Sequence, residues 1–172
     1  MKKIILVFCF FFGFLGCISA QDKFKRVFDE KSQTDILVGI CSRADLLNCD
    51  FANSYNEEYP AYNPNSEVMA ALKDKTAGIK CVIILGTWCG DSKEQVPRFL
   101  KIMDLLGSTF DELTIIAVDR NKDVPDMNIK DQYKIEKVPT FIFYRDDKEI
   151  GRIVETPKET LEKDLLEILK IK

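Results

Sequence analysis

Short unbroken apolar runs alternate with longer stretches of helical spacing along the second half of the chain. Cys81 to Leu85, CVIIL, is apolar throughout and rich in Val and Ile, as expected of a central parallel strand covered on both faces. Gly86 ends it. After the turn Thr87-Trp88-Cys89-Gly90, a helix is predicted from Asp91 and Ser92, because Val96, Phe99, Leu100, Met103 and Leu106 recur at helical intervals. Leu113 to Val118 is a second buried strand, and the long helix between the two implies a right-handed parallel crossover. A short helix around Ile129 to Tyr133 follows. Thr140–Tyr144 and Glu149–Val154 form a hairpin around Arg145-Asp146-Asp147-Lys148, and Pro157 opens a last helix with Leu161, Leu165, Ile168 and Leu169 inward.

The first half is less regular. Residues 21 to 34 are polar and charged with scattered Phe24, Val27 and Phe28, a short strand or an ordered extension. Beyond Asp35–Ile40, Ser42 and Asp45 make a capping pattern for a helix running through Cys49. The stretch FANSYNEEYPAYNPNS, residues 51 to 66, reads as a loop or broken helix. Its Tyr55, Tyr59 and Tyr62 either seal one end of the core or form a wall near Cys89 that contacts a substrate. Ser66 opens a helix over Glu67–Lys75 with Val68, Met69 and Leu72 as its apolar stripe. Residues 21–77 are thus an extension and first helices packing on a core of residues 78–172.

The first twenty residues stand apart. Met1-Lys2-Lys3, the apolar run ILVFCFFFGFLG and the small-residue end at Ser19-Ala20 have the layout of a secretory signal peptide. Cleavage after Ala20 gives a soluble exported protein, periplasmic or secreted. Alternatively Phe14-Leu15-Gly16-Cys17 serves as a lipobox and leaves a lipoprotein on the membrane through Cys17. Removing the leader takes the formal net charge from −3 to −5, a mildly acidic, mixed surface that argues against nucleic acid.

The chain has six cysteines and no histidine. The lack of histidine excludes Ser-His-Asp and Cys-His catalysis and His-ligated zinc, and the acids form no metal motif, so neither a metal nor a cofactor is expected. Outside the leader remain Cys41, Cys49, Cys81 and Cys89. In an oxidising compartment four cysteines suggest disulfides. Cys81 and Cys89, at opposite ends of a strand and roughly 20 Å apart at about 3.3 Å per residue, are not a pair. Cys81 reads as a buried small hydrophobe. Cys41 and Cys49 flank a helix of about two turns and bond only if it breaks; either is a candidate resolving thiol for Cys89.

Cys89 lies between a buried strand and a helix start, where unpaired N–H groups favour thiolate, the nucleophilic form. Trp88-Cys89-Gly90-Asp91-Ser92-Lys93 resembles the thioredoxin family's Trp-Cys-Gly-Pro-Cys-Lys motif. Pro97 stands at the family's helix-kinking proline, and Val138-Pro139-Thr140 at its cis-proline segment. The resemblance, which runs from about Ile79 to Lys170, implies a thioredoxin-like three-layer α/β sandwich: a central mixed sheet flanked by helices, here with an N-terminal helical extension. It also implies a cis Pro139 lying against Cys89, with Val138 supplying backbone groups to a substrate.

Three departures bear on mechanism. Ser92 replaces the second cysteine, so Cys89 can attack a disulfide but this motif cannot resolve the product. Ile83 stands where the family keeps a buried Asp. Asp91 opposes a Cys89 thiolate, and Lys93 partly offsets it. The expected function is therefore single-thiol exchange of the isomerase or adduct-removal type, acting on thiol- or disulfide-containing proteins or small thiols. In that case Ser92 caps the helix. The rival is a redox-inactive binding or chaperone-like module on the same fold. Glu155 stands near a family glycine that lets a substrate chain approach. Arg120, leaving the second strand near Cys89, reads as a solvated surface arginine or as an attractor of an anionic partner.

Overall fold

The computed structural model describes residues 24–107 and 110–171. The predicted signal peptide, with Cys9 and Cys17, lies outside the described residues.

Six strands form one mixed sheet: β1 (Phe24–Asp29), β2 (Thr34–Cys41), β3 (Ile79–Leu85), β4 (Glu112–Ala117), β5 (Thr140–Arg145) and β6 (Lys148–Val154). Their spatial order is β1-β2-β4-β3-β5-β6. β3 sits in the middle, parallel to β4 and antiparallel to β5, and its side chains alternate between two apolar layers. Cys81, Ile83 and Leu85 enter one layer while Val82 and Ile84 enter the other. Both faces are covered, which is why the run shows no polar alternation.

The larger layer lies under α1 (Arg43–Leu47), α2 (Phe51–Ala61), α3 (Ser66–Leu72), α4 (Gly90–Leu105) and α6 (Leu161–Leu169). At its centre Phe99 of α4 is fully buried, its ring centroid 4.7 Å from that of Phe141 and 5.9 Å from that of Phe143. The second face is covered by the short helix α5 (Ile129–Tyr133) and its flanking connections, through Val124, Ile129, Ile135 and Val138. Helices on both faces of a mixed sheet make this the thioredoxin-like sandwich expected.

In the N-terminal region β1 bears out the short strand read within residues 21–34, but β2 joins the sheet as well, a departure from the helical extension predicted. Residues 24–41 form a β-hairpin that joins the sheet, β2 lying antiparallel to β4 with Gly39 opposite Ala117 and Cys41 opposite Ile115. Leu37 and Cys41 then enter the larger layer, and Ile36 and Val38 the smaller. α1 follows with the expected capping box between Ser42 and Asp45. Residues 51–61 are a continuous helix rather than a loop. Pro60 falls in its last turn, and Phe51 and Tyr55 face the core. Tyr59 donates to Asp104 Oδ2 at 2.7 Å and Tyr62 to Glu162, so these aromatics brace α4 and α6 instead of walling Cys89.

Smaller corrections concern helix starts. Thr160, whose Oγ1 accepts from the Lys163 N–H, caps α6, and Pro157 precedes the helix. For α3 the cap is Asn65, which accepts from the N–H groups of Glu67 and Val68. No helix among the described residues is long and apolar enough to cross a membrane.

Candidate active site

Cys89 is the N-cap of α4, with φ −91° and ψ 130°, and its carbonyl accepts from Lys93 N–H at 3.0 Å. Strand β3 ends four residues earlier, so the thiol emerges at the carboxyl end of the central strands. It is half-buried, against the smaller apolar layer. Its Sγ makes no capping bond to the helix. It donates instead to the carbonyl of Val138 at 3.3 Å, and the Val138–Pro139 peptide is cis. The motif cysteine and the cis-proline segment, 49 residues apart, thus form one cleft.

The remaining motif residues surround this contact. Gly90 is exposed and Asp91 and Lys93 are half-buried in the first turn. Ser92 is fully buried and does not cap α4. Its Oγ accepts from the Gly86 N–H at 3.2 Å, pinning the turn from inside. Thr87 Oγ1, also buried, accepts from Leu37 N–H at 3.2 Å and ties the same turn to β2. Thr140 is buried, its hydroxyl donating to Lys137 O at 2.7 Å.

Glu155 closes one side of the cleft. It holds φ 57°, in the left-handed region that favours glycine, and its N–H donates to Pro139 O at 2.7 Å. Its carboxylate meets Lys137 Nζ at 2.6 Å. A side chain and an ion pair therefore stand beside the Pro139 carbonyl on this side of the cleft.

Trp88 forms the other side. Its indole Nε1 donates to Val118 O at 3.0 Å, and the Arg120 guanidinium lies 4.8 Å from the ring centroid. Arg120 is half-exposed but ion-paired rather than free in solvent. Its Nε and Nη2 each donate to a different oxygen of Asp29, both at 2.7 Å. Asp29, the last residue of β1, is 9 % exposed and also accepts from the N–H and hydroxyl of Ser32. The Arg120 guanidinium, followed by the Ser32 hydroxyl, holds this carboxyl far below the usual carboxylate range. A depressed folded-state value means that the pair's stabilisation is complete above about pH 4, the ordinary Asp value, and is lost only as the pH falls well below it.

Gly86 makes the Trp88 position possible. A Cβ there would lie 2.6 Å from Cε2 and 2.8 Å from Nε1 of the indole. Gly86→Ala should therefore displace the ring, costing about 1–3 kcal/mol, and should red-shift the emission of the chain's single tryptophan. Urea denaturation and a fluorescence spectrum check both; an unchanged spectrum would mean that the turn yields instead.

The other cysteines lie apart from this cleft. Cys41, Cys49, Cys81 and Cys89 are all free, and with α1 formed between them Cys41 and Cys49 make no bond. Cys41 and Cys49 pack in the larger layer, on the other side of the sheet from the layer that Cys89 adjoins. Burial pushes the Cys41 thiol up to about 12 and raises those of Cys49 and Cys81. Cys49 donates to Leu46 O at 3.3 Å. The structure therefore does not bring either candidate resolving thiol to Cys89. Among the described residues no group of three or more Cys, Asp or Glu side chains is placed to hold a metal ion.

Sequence reasoning did not find the Asp29–Arg120 pair. Asp29 lies 91 residues from Arg120, and nothing in FKRVFD marks its last residue as a partner. Gly86 was legible as a strand end but not as the seat of the indole.

Comparison with known proteins agrees with this architecture. A family model described as thioredoxin matches residues 50–167, more than half of the chain. The chain is 29 % identical over 102 residues to a thioredoxin-like protein of Acanthamoeba polyphaga mimivirus, covering 59 % of this chain and 71 % of that protein. It is 29 % identical over 88 residues to an H-type thioredoxin of Picea mariana, covering 51 % and 65 %. Among solved structures, Fasciola hepatica thioredoxin aligns with a TM-score of 0.40 at 19 % identity, over 62 % of this chain and 93 % of that one. The β1–β2 hairpin precedes the stretch matched by the family model.

Proposed function

Because the chain belongs to the thioredoxin family, a family of thiol–disulfide chemistry, we propose that it exchanges disulfides through Cys89 alone. The observation that carries this reading is the half-buried Cys89 thiol at the N-cap of α4, 3.3 Å from the carbonyl of Val138 beside cis-Pro139.

In the forward step the Cys89 thiolate attacks one sulfur of a substrate disulfide. A new S–S bond forms to Cys89 as the substrate bond breaks, and the other substrate sulfur leaves as a thiolate that takes up a proton. The Val138 carbonyl, which accepts from the resting thiol, is freed as the thiol ionises. Ser92 has no sulfur with which to attack the mixed disulfide. A second thiol on the substrate, or an outside thiol, therefore releases Cys89, and the cycle isomerises disulfides or strips small-thiol adducts. The substrates are thiol- or disulfide-containing proteins or small thiols. The side chain of Glu155 and its ion pair with Lys137 narrow the approach and favour a slender partner. The signal-peptide layout of residues 1–20 supports a site of action in an exported protein of bacterial type, periplasmic or secreted, with lipidation at Cys17 as the alternative processing.

The test is to incubate the protein with oxidised glutathione, quench in acid and map the adducts by peptide mass spectrometry. One glutathione is expected on Cys89, removable by added free thiol, with Cys41 and Cys81 unmodified. Absence of an adduct on Cys89, or modification confined to Cys49, would remove the exchange reading and leave a binding module on this fold.

A further inference from the structure

Three groups fix Trp88 beside Cys89, and one of them is mounted on a distant part of the chain. Gly86 gives the ring room, and the Val118 carbonyl holds its N–H. The third, the Arg120 guanidinium stacked on the indole, is oriented by two bonds to Asp29 at the tip of the β1–β2 hairpin. A bidentate carboxylate fixes the plane of a guanidinium as a single bond does not. Asp29 is fixed in turn, being nearly buried and bonded by Ser32 across the hairpin turn. A charge on Cys89 is also felt at Arg120.

We propose that the β1–β2 hairpin is part of the active site: Asp29 is a positioning residue that orients Arg120, and Arg120 clamps Trp88 beside Cys89 and sets the local charge met by an anionic partner. This rests on Cys89 being the reacting thiol. The hairpin lies outside the stretch matched by the thioredoxin model, so the Asp29 half of the clamp comes from the N-terminal segment that precedes it. The two charges nearly cancel as they stand, and removing one or the other has opposite consequences. Without the arginine, Asp29 is left as a bare negative charge near the cleft. Without the carboxylate charge, Arg120 is uncompensated and draws anions in. Either change frees the indole.

The experiment compares Asp29→Asn, Arg120→Met and Arg120→Lys in the full chain, with two readouts. The first is acrylamide quenching of the single tryptophan. The second is the rate of Cys89 alkylation by anionic iodoacetate relative to neutral iodoacetamide, followed on the Cys89 peptide so that other thiols do not contribute. Quenching should increase in all three variants. At low salt the alkylation ratio should fall about two- to threefold in Arg120→Met and rise by a similar factor in Asp29→Asn, the order expected of one unit charge acting on the anion through water. It should stay near the parent value in Arg120→Lys, which keeps the charge and loses the fork. A purely structural hairpin would lower stability without splitting the ratio in two directions. The proposal is overturned if quenching is unchanged in Asp29→Asn and Arg120→Lys, or if Asp29→Asn moves the ratio in the same direction as Arg120→Met. Neither readout needs a mixed disulfide. A chain that shows these shifts but takes no glutathione on Cys89 keeps the clamp and loses the exchange chemistry.

Discussion

Under the single-thiol exchange proposed for Cys89, replacing Ser92 by cysteine should let the protein release its own product without an outside thiol. Ser92 lies three residues after Cys89 on the first turn of α4, a rise of about 4.5 Å along the axis, within the Cα separation that a disulfide accepts. The introduced thiol would attack Cys89 Sγ of the mixed disulfide, close a disulfide within the turn and expel the substrate thiolate. Oriented groups reach effective concentrations far above the millimolar range of an added thiol, so release in its absence should speed up by about a thousandfold or more. The cost is modest: sulfur accepts more weakly than oxygen from the Gly86 N–H, a loss of about 1 kcal/mol. Quenched time courses of the glutathione adduct measure the rate. An adduct as long-lived as that of the parent chain would show that this position is not the missing resolving site.

The largest stability effect is expected at Phe99. Its ring is fully buried among Phe141, Phe143 and Phe110, bridging α4 to the sheet at the centre of the larger layer. Phe99→Ala removes these contacts and leaves a cavity that rigid strands cannot close, at a cost of about 3–5 kcal/mol. Set against a usual total of about 5–15 kcal/mol, this should bring the domain near to unfolding at ambient temperature. Urea titration would register it as a lower midpoint with an unchanged slope. A shift below about 1 kcal/mol would place the main core elsewhere.

What the sequence reveals, and what it hides, follows from how each element is held. β3 and α4 were legible because their apolar positions carry the period of the structure they form, and the β5–β6 hairpin because its turn residues, Asp146 and Asp147, tolerate positive φ. β1 left only a faint trace, the scattered Phe24, Val27 and Phe28. It is an edge strand with Lys25 and Arg26 exposed along it, so it has no apolar run, and its strand character comes from pairing with β2. β2 itself merges an apolar stretch, interrupted by Gly39 at φ 129°, with the strong capping box that follows, and the helix signal masked it. The same division applies to the site. Cys89 and Pro139 were marked by local motifs. The misplaced role of Ser92 came from counting positions: a hydroxyl near a helix start was read as a cap, whereas the fold turns it inward to Gly86. Arg120 was ambiguous because its meaning depends on Asp29, which only the closed sheet brings within reach.

The attachment of β2 carries a consequence for how the molecule comes apart. β1 and β2 pair over six residues, but β2 meets β4 over three, Gly39 to Cys41, aided by the Leu37–Thr87 bond. This is the narrowest seam in the sheet, so mild heating should open it before the centre yields. Opening there would carry Asp29 away from Arg120 and uncover Cys41 while Cys81, walled in by β4 and β5, stays sealed. The exchange proposed for Cys89 would thus lose its proposed tuning at a temperature where the globule is otherwise intact, and the ceiling on its working range would be set by a three-residue zipper rather than by the melting of the core.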